Sequence, residues 1–145
     1  MKIAVVDTNV VVAGLGSRQA ESPPRRVLDA MLVGHVRYAV SAALLAEYRE
    51  VLLRPKLRQF LGLSPVQVEV VVRRLAQGAA LRSPIRAAAD APDPGDQFLL
   101  DLALDLPQAV LVTGDKLLFA LQDLGIQVLS PAEFAATLGN EPPQS

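Results

Sequence analysis

Two four-residue runs, Ile-Ala-Val-Val at 3–6 and Ala-Val-Leu-Val at 109–112, are apolar at every position. Each stops at a polar triplet, Asp7-Thr8-Asn9 in the first case and Thr113-Gly114-Asp115 in the second. A strand that is apolar on both faces belongs in the middle of a sheet covered on both sides, the usual condition of parallel sheets in α/β domains. Weaker strand signals stand at Val36–Val40, Ala79–Ile85 and Ile126–Leu129. Between them, apolar residues recur at helical spacing: Val27, Leu28, Met31 and Leu32; Leu44, Leu45, Tyr48, Val51 and Leu52; Phe98, Leu99, Leu102 and Ala103. This alternation predicts an α/β fold, three layers α/β/α around a central, mostly parallel sheet.

The punctuation sharpens the boundaries. Gly14 to Pro24 reads as a polar loop, and Pro24 opens a helix that Gly34 closes. Ser41 is placed to cap a helix reaching about Leu53. Lys56–Leu61 is a short helical piece, and Ser64-Pro65 starts a helix to Gln77. Ala87–Gly95 is a loop, Asp96–Leu106 and Lys116–Leu124 are helices, and Ser130-Pro131 starts the last helix. Without a repeat or a linker, residues 1–138 read as one domain and 139–145 as a flexible C-terminal tail.

Composition removes several function classes. Aromatics are 4% of a chain that is 51% hydrophobic, so the core is aliphatic. With no Cys there is no thiolate chemistry, disulfide or Cys-based zinc site. A net charge of −1 argues against general, charge-driven nucleic-acid binding, although a basic rim can coexist with an acidic pocket. Of the 14 Lys and Arg residues only Lys116 follows Arg86, which leaves the last third acidic. No apolar run approaches the roughly 18 residues that suggest a membrane span, and Lys2 alone before an interrupted apolar run is a poor signal peptide. The expectation is a cytoplasmic protein without membrane association.

In parallel α/β sheets, sites gather beyond the carboxyl ends of the strands. Asp7 and Asp115 follow two such ends, Asp96 stands at a helix start, and Glu47 lies about two turns into the helix after the second strand. Taken singly, Asp7 and Asp115 are capping residues as readily as ligands, Glu47 is a solvated helix residue and Asp96 a favourable helix-terminal charge. Together they would repel one another unless they shared protons or held a cation. Oxygen donors without Cys favour a hard ion, Mg²⁺ or Mn²⁺, and such ions support phosphodiester hydrolysis. Asp93 competes with Asp96 for the third position, and the lone His35 has no catalytic partner in the sequence.

The segments VVDTNVVV, SAALLAEYREVLLRPKL, DPGDQFLLDLAL and LVTGDKLLF followed by IQVLSPAEF, in this order, resemble the PIN-domain family, and among its members the VapC-like toxin ribonucleases. The resemblance extends over about Lys2 to Leu138. It implies a metal-dependent endoribonuclease acting on RNA, the toxin of a toxin–antitoxin pair, with Asp7, Glu47, Asp96 and Asp115 as catalytic acids. Of these, Asp7, Asp96 and Asp115 would hold Mg²⁺ or Mn²⁺, with Thr8, Asn9 and Thr113 positioning the acids or the substrate. It also implies an antitoxin protein partner and a homodimer. Arg18, Arg25 and Arg26 lie where they would meet RNA phosphates. One departure stands out: relatives often carry an Asp where this chain has Leu117. That difference leaves open an alternative, a catalytically weak protein that acts mainly by binding RNA or an antitoxin.

Overall fold

The computed structural model describes residues 2–138; the expected tail, 139–145, lies outside the described residues. The central strands are β1 (Ile3–Val6) and β4 (Ala109–Val112), paired in parallel from Ile3 opposite Ala109 to Val6 opposite Val112. β5 (Gln127–Leu129) lies parallel to β4 on its other side. β2 (Ala39–Val40) and β3 (Ala80–Leu81) form a second parallel pair, joined to β1 by a bridge between Ala4 and Tyr38. The strand order is therefore 3-2-1-4-5, every pairing is parallel, and helices cover the sheet in the expected three-layer manner.

β2 and β3 are shorter than their apolar runs suggest. The ladder closes over few residues here: Ala80 N–H donates to the Tyr38 carbonyl and Arg82 N–H to that of Val40, both at 2.9 Å.

The helices are α1 (Thr8–Gly16), α2 (Pro23–Val33), α3 (Ala42–Leu52), α4 (Pro55–Leu61), α5 (Pro65–Gln77), α6 (Gln97–Asp105) and α7 (Pro131–Leu138). Local chemistry explains most ends. Ser41 Oγ accepts from Leu44 N–H at the start of α3, and Ser64 with Gln67 forms a reciprocal capping box on α5. Gly34 closes α2 with φ of +81°, a conformation that favours glycine.

Two helical segments also depart from the sequence reading. α1 occupies the apolar stretch directly after Asp7 and runs to Gly16, so the expected loop from Gly14 shrinks to Ser17–Ser22. Its helicity depends on packing against α2: a Cβ at Gly14 would stand 2.8 Å from the Pro24 carbonyl oxygen and 2.9 Å from Leu28 Cβ. The segment Lys116–Leu124 is wound as a 3₁₀ helix instead of an α-helix. Three residues per turn bring Leu118 and Leu121, both buried, onto one inward line.

The core is aliphatic as expected, built from β1 and β4 together with Leu44, Leu52, Val68, Val72, Leu75 and the inner face of α6. Its two tyrosines, Tyr38 and Tyr48, are fully enclosed and each bonds a backbone carbonyl. The chain leaves β1 toward one edge of the sheet and later returns to β4 on the other side. The crevice beyond the carboxyl ends of β1 and β4 is therefore the point where the strand order reverses, the place where α/β sheets bind ligands.

Candidate functional site

The register of the central pair builds the site. Val6 lies opposite Val112, so Asp7 and Thr113 leave the sheet side by side, and Asp7 N–H donates to the Val112 carbonyl at 2.9 Å. Thr113 Oγ1–H donates to Asp7 Oδ2 at 2.8 Å and itself accepts from Asp115 N–H at 3.0 Å. The other oxygen, Asp7 Oδ1, accepts from Thr8 N–H at 2.8 Å and caps α1. Asn9 Oδ1 accepts from Gly114 N–H at 3.2 Å. Asp115 Oδ1 caps the 3₁₀ helix through Leu117 N–H at 2.9 Å. The two strand exits are thus stitched together by side chains, and capping accounts for only one oxygen of each aspartate.

Glu47 comes from α3, and its neighbour Tyr48 fixes where it stands. The enclosed Tyr48 hydroxyl donates to the Val6 carbonyl, tying α3 to the last residue of β1 and setting Glu47 beside Asp7. Sequence reasoning missed this role; Tyr48 carries only the signal of one more apolar-stripe residue. Asp96 ends a 3₁₀ turn, Pro94–Asp96, and precedes α6 without spending its carboxylate on a cap bond. Its rival Asp93 turns Oδ1 onto Gly95 N–H at 2.9 Å.

Asp7, Glu47, Asp96 and Asp115 line one cavity of about 410 Å³. Thr8 and Asn9 share its wall, and Val12, Ala13 and Val51 give it an apolar side; Thr113 is wholly buried behind Asp7. Burial pushes the Asp7 carboxyl above its ordinary pKa, the bonds from Thr113 and Thr8 pull it back, and the charge of Asp115 pushes it up again. Burial likewise raises Glu47; the Thr8 hydroxyl eases the shift while Asp7 and Asp96 reinforce it. Asp96 is raised by burial first, then by Asp93, Asp7 and Asp115. Acids from separate elements therefore act on one another across the cavity.

A hard cation suits this donor set. All candidate donors are oxygens, and the mutual repulsion of the carboxyls is what a cation would relieve. The Thr8 hydroxyl eases the charge on Glu47 without closing a full bond: Oγ1 is buried and, among the described residues, has no partner at hydrogen-bond distance. Among the described residues, no three Asp, Glu or His side chains stand close enough to chelate an ion between them. That spacing matches the habit of Mg²⁺, which keeps several waters and takes one or two carboxylates directly. A second groove, of about 490 Å³ beside α7, includes His35 but only one carboxylate, Glu133, and offers no comparable chemistry.

Of the arginines read as phosphate contacts, Arg25 is engaged: its Nε donates to Asp29 Oδ1 at 3.1 Å. Arg18 is exposed. Leu117 is 83% exposed and caps nothing with its side chain.

The structure is a parallel α/β domain with carboxylates gathered at the strand-order reversal. A family model described as PIN domain matches residues 3–117, and the chain belongs to the PIN-domain family. PIN domains are nuclease-type domains that typically use divalent metal ions. No curated protein matches the chain. Among the described residues, no helix is long and apolar enough to cross a membrane.

Proposed function

We propose that the protein is a Mg²⁺- or Mn²⁺-dependent endoribonuclease that hydrolyses RNA phosphodiester bonds, and that it serves as the toxin of a toxin–antitoxin pair. The observation that carries this reading is the meeting of Asp7, Glu47, Asp96 and Asp115, from four different elements, around one cavity at the strand-order reversal. Asp7, Asp96 and Asp115 would hold the ion directly or through water. When bound, it would supply an acidified water and offset charge building on the phosphate.

The chain's own residues do the rest. Thr113 and the Thr8 amide fix both oxygens of Asp7, so the carboxylate meets the substrate in one orientation. Asn9 holds the Gly114 turn that carries Asp115. Glu47, raised in pKa and held by Tyr48, is suited to accept a proton at its carboxylate from the attacking water. Val12, Ala13 and Val51 keep one wall of the cavity dry.

The test is cleavage of single-stranded RNA with Mg²⁺ or Mn²⁺ by wild type and by Asp7→Asn. Cleavage that needs the ion and falls about a hundredfold or more in the variant is expected; equal cleavage by both proteins would remove the assignment. The exposed Leu117 favours the second reading, weak turnover with binding as the main activity. Tight binding of RNA or a partner without metal-stimulated cleavage would select it.

A further inference from the structure

α4 is an unusual helix in this fold. None of its residues is fully buried, so it adds little to the core. Its penultimate residue, Phe60, is 78% exposed, whereas Tyr38, Tyr48 and Phe134 are buried and Phe98 and Phe119 pack against the core. A lone exposed apolar side chain is ordinary. The surroundings of this one are not. Residues 51–68 contain Arg54, Lys56 and Arg58 and no Asp or Glu, and residues 8–20 contain Arg18 and no acid.

Arg58 is occupied by the Leu63 carbonyl, and Arg54 reaches Glu50 only at 3.7 Å with both side chains largely exposed. Lys56 and Arg18 are exposed. The chain, almost neutral overall, thus leaves Lys56 and Arg18 exposed on this flank, with Glu50 and Glu21 at its edges.

The path between this flank and the acidic cavity is short. Phe60 packs at the far end of α1, where a Cβ on Gly16 would lie 3.6 Å from its Cε1, while Thr8 at the near end lines the acidic cavity. Eight residues of helix separate these ends by about 12 Å, the span of three to four stacked nucleotides. Val12 and Ala13 of α1, with Val51, form the apolar side of the cavity itself.

From this geometry we infer that α4 is a platform for single-stranded RNA, Phe60 stacking on an unpaired base while Lys56, Arg54 and Arg18 meet the neighbouring phosphates. The inference rests on the ribonuclease reading of the acidic cavity and adds to it a contact, on α4, for an unpaired base three to four nucleotides from the cut. Stacking on an exposed ring with flanking cations is the usual physics of sequence-tolerant single-strand binding. A duplex hides its base faces and cannot use the ring.

The experiment is fluorescence anisotropy of a short, mixed-sequence single-stranded RNA with the full chain in EDTA, so that binding is read apart from cleavage. Phe60→Ala should weaken binding roughly 5- to 100-fold, Phe60→Trp should restore it, and a duplex of the same sequence should not distinguish the three proteins. Lys56→Gln should lower the slope of log affinity against log salt by about 0.7. The inference is overturned if wild type does not bind the single strand, if Phe60→Ala binds as wild type does, or if single strand and duplex suffer equally. It is overturned too if Phe60→Ala alters self-association in sedimentation and leaves RNA affinity unchanged, which would make α4 a protein interface. Normal metal-dependent cleavage with any of these results would leave the ribonuclease reading intact; Phe60-dependent binding without cleavage would remove that reading alone.

Discussion

The exits of β1 and β4 and the α4 flank lie at opposite ends of α1, and they are built on opposite principles. At the exits Asp7 and Thr113 are buried and bonded, and every polar contact there is tied to the sheet register. On α4 nothing is fully buried, and the side chains with chemistry stand in solvent. The first region holds both oxygens of Asp7 by hydrogen bonds, as a reacting centre requires. The second presents charge and an aromatic surface to a flexible polymer that brings its own shape. Rigidity therefore belongs where carboxylates must be held against their mutual repulsion, and exposure where a strand must be caught.

Breaking the stitch at the exits should have the largest effect on stability. Thr113→Val leaves Asp7 Oδ2 without its donor and Asp115 N–H without its acceptor. We expect a loss of about 2 to 4 kcal/mol in denaturant unfolding, together with reduced metal-dependent cleavage. A substitution on α4 such as Lys56→Gln should leave unfolding unchanged.

The two glycines of α1 sharpen the contrast further. Gly14→Ala drives a methyl into the Pro24 carbonyl oxygen at 2.8 Å and Leu28 Cβ at 2.9 Å, and should destabilise by about 1 to 3 kcal/mol. Gly16→Ala meets the tip of Leu61 at 3.3 Å and the Phe60 ring at an ordinary 3.6 Å, flexible contacts that can give, and the gain in helix propensity offsets them. Thermal melts of the two variants should therefore separate, with Gly16→Ala near wild type. Equal losses would show that α4 is packed as firmly as α2.

The smallest effect is electrostatic and carries a definite sign. Asp7, Glu47 and Asp96 all have raised carboxyl pKa values in the fold. The folded state thus binds protons more tightly than the unfolded chain. The stability this gives is complete below the ordinary values, 3.8 for Asp and 4.5 for Glu, and is lost as pH rises through the raised ones. Without metal, Glu47→Gln should melt a few degrees above wild type at neutral pH, and the difference should vanish as the pH falls through about 4. A variant that melts lower at neutral pH would mean that Glu47 is held by attraction, contrary to its surroundings.

Much of this arrangement is legible in the sequence. The two fully apolar runs announce central strands, Ser41 and Ser64 announce helix starts, and the acids at the strand ends mark the rim. What is not legible depends on partners distant in the chain. α1 has buried valines and glycines without a clear polar face, and its winding follows from the contact between Gly14 and α2. The short β2 and β3 are limited by where hydrogen bonds close, and the 3₁₀ winding by where Leu118 and Leu121 meet the core. Tyr48 looks like any apolar-stripe residue until the fold brings its hydroxyl to Val6. The exposure of Phe60 likewise appears only once α4 is seen to contribute no buried residue.

The central claim is that Asp7, Glu47, Asp96 and Asp115 form one electrostatically coupled site for a hard divalent ion. Titration of the chain with Mn²⁺, followed by electron paramagnetic resonance of the free ion, tests it most directly. Saturable binding in wild type, weakened at least about tenfold in both Asp7→Asn and Asp96→Asn, is the predicted result. Binding of Mn²⁺ that is equally tight in wild type and both variants would contradict it.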